Sequence, residues 1–313
     1  MARFQVGDVY PASFRLAFGN FGAFLRTQGV LLIAMALVNL AFTLFVVQDS
    51  VGQMFAALGG KGTPDPAKVV AALVPLVVGG LTIAALTLVV NPAVYGVGLK
   101  VADAVSAGQN GITLGQSWDA VRPRYGALLR ILLSLIGAAF GVFVAVAVAG
   151  SAFLVASPIL GAFLLFLLFC VAAVFVVWLL LRWFLALAVG LFEGRSARAS
   201  LKRSSELTDG SRGAILGLLI LLILTFIVPV AIVGSMFSPS PTFNPSSPAL
   251  TQTQPSLAQQ LGSWVVTTAF SLLGGFVGIS ANYLVYKKLA EPAGTPEPGM
   301  GPIAYSPPPA PPL

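Results

Sequence analysis

The sequence predicts an all-α fold, a polytopic membrane helix bundle of six transmembrane helices with short cytoplasmic interfacial helices. Three observations support this prediction. Hydrophobic residues make up 57% of the 313 residues and charged residues only 9%, which is outside the range of soluble globular proteins. Six apolar stretches are long enough to cross a bilayer, which takes about 20 residues. Lysines and arginines are concentrated in alternate connections between these stretches.

The six apolar stretches are the predicted spans, and they cover about residues 29–47, 69–90, 127–149, 159–189, 213–234 and 264–286. They are continuously apolar and lack the period of two that a membrane β-barrel requires. The fourth stretch, at about 31 residues, is too long for one upright span, so we expect it to tilt or to leave the hydrocarbon at one end. The second stretch runs into Asn91 and Pro92, and its helical pattern continues to about Ser106. We expect a kink at Pro92, because proline removes a backbone donor.

The distribution of basic residues predicts the orientation. The two terminal segments and the second and fourth connections would lie on one side of the membrane and hold thirteen lysines and arginines: Arg3, Arg15, Arg26, Lys100, Arg122, Arg124, Arg195, Arg198, Lys202, Arg203, Arg212, Lys287 and Lys288. The other side holds two, Lys61 and Lys68, and Arg130 and Arg182 lie inside spans. Basic loops stay cytoplasmic, so both termini are predicted to be cytoplasmic.

The chain divides into three predicted regions. Residues 1–28 form a cytoplasmic N-terminal interfacial segment, which does not resemble a cleavable signal because its apolar run begins too late. Residues 29–290 form the six-helix transmembrane domain. Residues 291–313 form a cytoplasmic tail rich in proline, and this tail and the fifth connection, about 238–262, are predicted to be disordered.

A short polar-to-amphipathic segment precedes each odd-numbered span. We expect residues 13–26, 115–125 and 196–208 to form helices near the bilayer plane on the cytoplasmic side. A Gly-Ala-apolar sequence follows in each case, which suggests a unit of one surface helix and two spans used three times in the same orientation. The same similarity could arise by chance in a chain with 33 glycines, so both explanations stay open.

The segment before the fifth span carries a more specific pattern. Residues 192–194 read Phe-Glu-Gly, and residues 199–212 read Ala-Ser-Leu-Lys-Arg-Ser-Ser-Glu-Leu-Thr-Asp-Gly-Ser-Arg. This pattern resembles the six-helix membrane-domain family of bacterial glycerophosphoryl diester phosphodiesterases, which includes stand-alone members without an assigned function. The resemblance implies a bundle in the bacterial cytoplasmic (inner) membrane. It does not imply the phosphodiesterase reaction, which belongs to a separate soluble domain with histidines and metal-binding carboxylates.

The residue inventory argues against common chemistries. The chain has no histidine and one cysteine, which excludes histidine-dependent acid–base catalysis, catalytic triads and the usual zinc and haem ligand sets. The ten acidic residues are scattered along the sequence. We therefore expect no enzymatic activity, no cofactor and no metal site. The basic residues that give the formal charge of +7 flank apolar spans, so they indicate topology and not nucleic-acid binding.

Polar residues within or beside the spans are the candidate functional positions: Arg182, Arg130, Glu193, Asn39, Asn91 and Asn282. An arginine inside a span costs several kcal/mol unless it snorkels, pairs or meets water. We expect Arg130 to snorkel to the headgroups. Arg182 precedes Glu193 by about 16 Å of helix, too far for direct pairing, so we expect its guanidinium to meet phosphate, water or a carbonyl. The asparagines are expected to hydrogen-bond between helices.

Two further groups of residues are expected to make contacts. Four basic residues of the fourth connection are candidate contacts for anionic lipid headgroups, although ordinary topology explains the same residues: Arg195, Arg198, Lys202 and Arg203. Three glycine pairs spaced four residues apart are expected to allow close helix packing: Gly137 and Gly141, Gly213 and Gly217, and Gly274 and Gly278.

Two functions fit this sequence. The first is a non-catalytic membrane scaffold or accessory subunit, and the second is a conduit for a lipid, an amphiphile or a small solute. A cavity touching Arg182 would favour the conduit, and a dry interior would favour the scaffold. Membrane lipids, with anionic headgroups on the cytoplasmic side, are the expected partners in either case.

The predicted topology can be tested by cysteine labelling. In a Cys170→Ser background, Ser247→Cys in the fifth connection should react with a membrane-impermeant maleimide in intact cells, because that connection is predicted to lie outside. Ser306→Cys in the tail is the control and should react only after the cells are permeabilised. Labelling at position 247 from the cytoplasmic side alone would contradict the topology.

Overall fold

The computed structural model describes residues 4–47, 50, 53, 66–109, 111–156, 158–236 and 256–291, and these form an all-helical bundle without strands. The helices are α1 (Val6–Gly19), α2 (Phe21–Val47), α3 (Pro66–Ser106), α4 (Leu114–Val121), α5 (Tyr125–Ala156), α6 (Pro158–Arg182), α7 (Ala186–Phe192), α8 (Ala197–Leu207), α9 (Arg212–Met236) and α10 (Leu257–Ala290). Six of the described helical segments are long and apolar enough to cross a membrane, as predicted. The protein is therefore a multi-pass membrane protein.

The six long helices form a closed ring of neighbours. The N-terminal part of α2 and the helix α1 pack against α10, which contacts α9 and α3, while α5 packs against both α3 and α6. The pair α5 and α6 is the most extensive antiparallel contact, and α6 closes the ring against α9. Residues 157 and 237–255 of the connections, and residues 292–313 of the predicted tail, lie outside the described part of the chain.

Several helices are much longer than a bilayer requires. The 41 residues of α3 extend about 60 Å, and the 34 residues of α10 extend about 50 Å, whereas the hydrocarbon core is about 30 Å thick. Both helices continue into polar sequence beyond the apolar runs at 69–90 and 264–286, and α3 ends at Ser106, as expected from the sequence. Residues 257–262, predicted to be disordered, are the first turns of α10, which a capping box between Ser256 and Gln259 starts.

Burial divides the bundle into two parts. In α3 most side chains from residue 67 to 91 are exposed, whereas most of those from Pro92 to Val105 are buried. The helix continues through Pro92, so the proline marks the change in burial and not the end of the helix. The exposed part suits lipid, and the buried part is packed like the interior of a water-soluble protein.

We call the buried part the basic cap. It consists of α1, α4, α7, α8, the turn at residues 183–185 and the adjoining ends of the long helices, namely residues 21–29 of α2, 92–106 of α3, 125–131 of α5, 212–218 of α9 and 276–290 of α10. Its interior holds the largest fully buried apolar side chains of the described chain, among them Phe24, Phe276, Leu99, Leu128, Ile131, Leu185, Ile215 and Leu218. Close packing of these helix ends therefore removes from water the surface that the bilayer does not cover.

The three predicted short helices are present, but the first differs from the expected arrangement. A capping box between Thr113 and Gln116 starts α4, and Gly210, with a φ of 74°, follows α8. The first helix begins at Val6 and ends at Gly19, before the change of direction at Asn20.

The helix α1 runs alongside its neighbours. Asp8, near the start of α1, pairs with Lys288 near the C-terminal end of α10 (3.7 Å). Phe21, just after the end of α1, contacts Phe276, which lies twelve residues before Lys288 on α10. On α9, the Tyr10 hydroxyl lies 2.7 Å from the Thr225 hydroxyl. Therefore α1 is packed lengthwise against α9 and α10, and the prediction that it lies near the bilayer plane is wrong.

Most of the glycines predicted to allow close helix packing do not do so, and other glycines take this role. A side chain at Gly137, Gly141, Gly213 or Gly278 would meet nothing within 4 Å, so these positions do not form contact faces. Gly274 does lie against Phe226. Close approaches in the cap occur at Gly96, which faces Val121, at Gly98, which faces Gln28 and Ile279, and at Gly190, which faces Ile131.

Gly194 and Gly210 provide a matched pair for testing the packing of the cap. Both have positive φ, 66° and 74°, but only Gly194 is covered by a side chain, that of Arg124, which also donates a hydrogen bond to the Gly194 carbonyl (3.0 Å). Alanine at either position should cost about 1–2 kcal/mol for the left-handed backbone. Gly194→Ala should cost about 1 kcal/mol more because Arg124 must move. Thermal unfolding in detergent measures the difference, and equal losses would contradict this contact.

Candidate functional site

The fourth span is interrupted where it reaches the basic cap. The helix α6 ends at Arg182, residues 183–185 form a turn, and α7 continues from Ala186 to Phe192. A helix end leaves backbone N–H and C=O groups without partners in the helix, and burying such groups unpaired is costly. Leu185 is fully buried. This interruption therefore needs hydrogen-bond partners from elsewhere in the chain.

Two hydroxyl groups supply those partners, one on α8 and one on the residue that follows it. The Ser204 hydroxyl accepts a hydrogen bond from the Leu185 N–H (3.1 Å) and donates one to the Arg182 carbonyl (3.2 Å). The Thr208 hydroxyl donates to the same carbonyl (3.2 Å). Both side chains are fully buried. The hydroxyls therefore fix α8 against the interrupted span, and with it the whole connection between the fourth and fifth spans.

Asn282 of α10 completes the support from a third helix. Its side-chain N–H donates to the Phe184 carbonyl (2.9 Å), and the residue is fully buried. This is the hydrogen bond between helices that the sequence predicted for Asn282. Its side-chain oxygen has no hydrogen-bond partner among the described residues. The interruption is thus held from α8 on one side and from α10 on the other.

The partner of Arg182 is a side-chain hydroxyl, whereas the sequence suggested phosphate, water or a carbonyl. Its Nε donates to the Ser205 hydroxyl (2.5 Å), and its guanidinium lies 5.4 Å from the centre of the Trp178 ring. The guanidinium of Arg212 lies near the same ring, at 5.8 Å. Folding α8 back onto the end of α6 brings Ser205 within reach, although it is 23 residues away in sequence. Two cations therefore lie near the Trp178 ring.

Glu193 is the anionic centre of the basic residues that follow α7. It pairs with Arg195 (2.6 Å) and with Arg203 (3.6 Å), and Arg203 also approaches Glu206 (3.8 Å). Two of the four predicted headgroup contacts therefore have carboxylate partners within the protein. The other two, Arg198 and Lys202, are exposed on α8 and remain available to a partner or a membrane surface.

Three other predicted positions contribute little to the bundle interior. Asn39 is exposed and donates to the Met35 carbonyl of its own helix (3.0 Å), so the expected hydrogen bond between helices is not formed. Asn91 is also exposed, where the sequence suggested burial. Arg130 is exposed at the boundary of the cap, next to the buried Ile131, a position compatible with the expected snorkelling. Hydropathy alone did not distinguish inward from outward faces.

An open apolar groove runs along the outer surface of α6 and ends at Trp178. Its volume is about 580 Å³, and its lining residues are Leu167, Cys170, Val171, Val174, Phe175 and Trp178. Arg182 lies one helical turn beyond this end of the groove. Arg182 therefore lies beside a groove on the outside of the bundle.

Within the described residues, no cluster of three histidine, cysteine or acidic side chains could hold a metal ion.

The spacing of three hydroxyl residues in the sequence is a signal for the α8 contacts. Ser200, Ser204 and Thr208 are spaced four residues apart, so they share one face of α8, and all three are fully buried. A stripe of small hydroxyl residues on an otherwise basic helix indicates a face that packs against backbone. Ser205 and Trp178 could not be identified in this way, because their roles depend on contacts between separate helices.

Removing the Ser204 hydroxyl should destabilise the protein. Ser204→Ala leaves the buried Leu185 N–H without an acceptor, which should cost about 1–3 kcal/mol of unfolding free energy in detergent. Thr208→Val should cost less, because the Arg182 carbonyl keeps the hydrogen bond from Ser204. The control is Ser134→Ala, which removes an exposed hydroxyl bonded to its own helix and should change stability by less than about 0.5 kcal/mol. A neutral Ser204→Ala would contradict this assignment.

Comparison with known proteins places the chain in one family. The family described as a domain of unknown function, DUF7847, matches residues 15–289, which include all six spans and most of the basic cap. No curated protein and no solved structure matches the chain. The resemblance to the membrane domain of glycerophosphoryl diester phosphodiesterases therefore stays a prediction from the sequence. The chain belongs to the DUF7847 family.

Proposed function

We propose that this protein is a non-catalytic scaffold or accessory subunit of the bacterial cytoplasmic (inner) membrane, with both termini in the cytoplasm. The observation that carries the proposal is the basic cap, a densely packed unit built from helix ends that are too long for the bilayer. With the proposed topology the cap projects into the cytoplasm. A rigid cap of this kind can hold a partner at a fixed distance from the membrane.

The polar residues at the interrupted span support a structural role. Ser204, Thr208 and Asn282 are buried and hydrogen-bonded to backbone groups of the turn between α6 and α7. Groups used in this way are not free for acid–base or nucleophilic chemistry, which requires a reactive group within reach of a substrate. This arrangement favours a scaffold over a membrane enzyme.

The exposed face of α8 is the proposed docking surface. Arg198 and Lys202 are one helical turn apart and both exposed, while the opposite face of α8 is fixed by its buried hydroxyls. A fixed pair of cations on a rigid helix favours an acidic partner, since complementary charge accelerates association and suppresses partners of like charge.

Charge reversal on α8 tests this surface. The double variant Arg198→Glu, Lys202→Glu should reduce recovery of cross-linked partner proteins in native membranes by at least about fivefold, because each reversal replaces attraction with repulsion. The matched control is Arg15→Glu, Arg26→Glu, which makes the same change in net charge elsewhere on the cap and should leave recovery unchanged. Equal recovery from wild type and the α8 variant, with both proteins folded and equally abundant, would contradict the proposal.

A conduit for a lipid or amphiphile is the second candidate, and the groove on α6 is the observation that favours it. If lipid crosses the membrane along this groove, reconstituted protein should accelerate movement of a fluorescent phospholipid between leaflets, and Arg182→Gln should abolish the acceleration. The scaffold proposal predicts a rate equal to that of protein-free vesicles for both proteins.

A further inference from the structure

We propose that Trp178, Arg182 and Arg212 form a binding site for an anionic phospholipid, with one acyl chain in the groove along α6. This inference goes beyond the scaffold proposal, because it concerns a different surface from the exposed face of α8. The site combines an apolar groove with two cations at one of its ends.

The length of the groove matches one leaflet. From Leu167 to Trp178 it follows eleven residues of helix, about 16 Å at 1.5 Å per residue, and half of a hydrocarbon core is about 15 Å. Its lining side chains are almost entirely apolar, and Val171 and Val174 are among the exposed apolar residues. An acyl chain lying in the groove would therefore reach from Trp178 to about the centre of the bilayer.

The position of Trp178 fits the boundary between acyl chains and headgroups. Tryptophan is enriched at this level of the membrane, because its ring is largely apolar and its N–H is polar. Arg182 follows one turn later, at the start of the basic cap, where its guanidinium is at the level of phosphate groups. Along α6, the groove is therefore followed by the cations, in the same order as the acyl chain and the headgroup of one lipid.

Charge at this end of the groove favours an anionic headgroup. The guanidinium groups of Arg182 and Arg212 both lie near the Trp178 ring system, at 5.4 and 5.8 Å. Arg182 uses its Nε for Ser205, and no described residue accepts a hydrogen bond from its two terminal nitrogens. Asp209 pairs with Arg212 at 3.4 Å, so the three groups together carry one net positive charge. A phosphate bearing an uncharged glycerol headgroup complements this charge better than a zwitterionic headgroup does.

Quenching by brominated lipids tests the site directly. Full-length protein is reconstituted in vesicles in which brominated phosphatidylglycerol or brominated phosphatidylcholine replaces the bulk lipid stepwise. The signal of Trp178 is obtained as the difference between wild type and Trp178→Phe, because three other tryptophans contribute to the spectrum. We expect half-maximal quenching of Trp178 at a lower fraction of phosphatidylglycerol than of phosphatidylcholine.

Arginine variants, each with its own Trp178→Phe partner, identify the headgroup contacts. Arg182→Gln and Arg212→Gln should each raise the required fraction of phosphatidylglycerol about fivefold, the fold-change for about 1 kcal/mol per basic residue. Arg130→Gln, which removes an exposed arginine outside the site, should leave that fraction unchanged. Arg212→Gln spares the hydrogen bond to Ser205, so it remains informative if Arg182→Gln fails to fold.

Two outcomes would overturn the proposal. The first is equal quenching of Trp178 by the two brominated lipids in the wild type. The second is an Arg212→Gln protein that is folded and keeps the full preference for phosphatidylglycerol. Neither outcome affects the scaffold proposal, whose test depends on Arg198 and Lys202.

Discussion

The mismatch between helix length and bilayer thickness is the constraint on which this structure depends. A helix of about 60 Å, such as α3, cannot be covered by about 30 Å of hydrocarbon. Its uncovered apolar surface must be buried by protein, and residues 92–105 of α3 show how this is done, because most of them are packed inside the basic cap. The short helices α1, α4, α7 and α8 complete the cap. The cap is thus a continuation of the membrane bundle and has no fold of its own.

The interrupted fourth span is held to the cap by hydrogen bonds from buried side chains. Without the turn at residues 183–185, α6 and α7 would form one straight helix and the connection to α9 would begin farther from the membrane. The turn exposes backbone groups that only nearby polar side chains can satisfy, and Ser204, Thr208 and Asn282 do so from two different helices. These residues explain why a helix as basic as α8 is held against an apolar bundle. The exposed cations of α8 follow from the same arrangement, because its hydroxyl face points inward.

Much of the fold was predictable from sequence, because lipid imposes a strong pattern on it. Continuous apolar runs identified six spans, and the amphipathic segments predicted at 115–125 and 196–208 correspond to α4 and α8. The limits of the spans were less predictable, because helix formation in the cap depends on packing and not on hydropathy. Asn39 and Asn91 were misplaced because composition does not reveal which face of a helix meets lipid. Ser205 was missed as the partner of Arg182 because their contact forms only after α8 has folded back.

A basic cap outside the bilayer requires α3 to leave the membrane near Pro92. Accessibility of spin labels on α3 to collision partners tests this requirement. Labels are placed on a Cys170→Ser protein in liposomes, at Val78 and Leu81 in the exposed part of α3 and at Ser106 at its end. Oxygen partitions into hydrocarbon and a nickel chelate into water, so their collision rates report on the surroundings of each label. If the cap lies outside the bilayer, collisions with oxygen should dominate at Val78 and Leu81, and collisions with the chelate should dominate at Ser106. Oxygen dominating at Ser106 as well would contradict it.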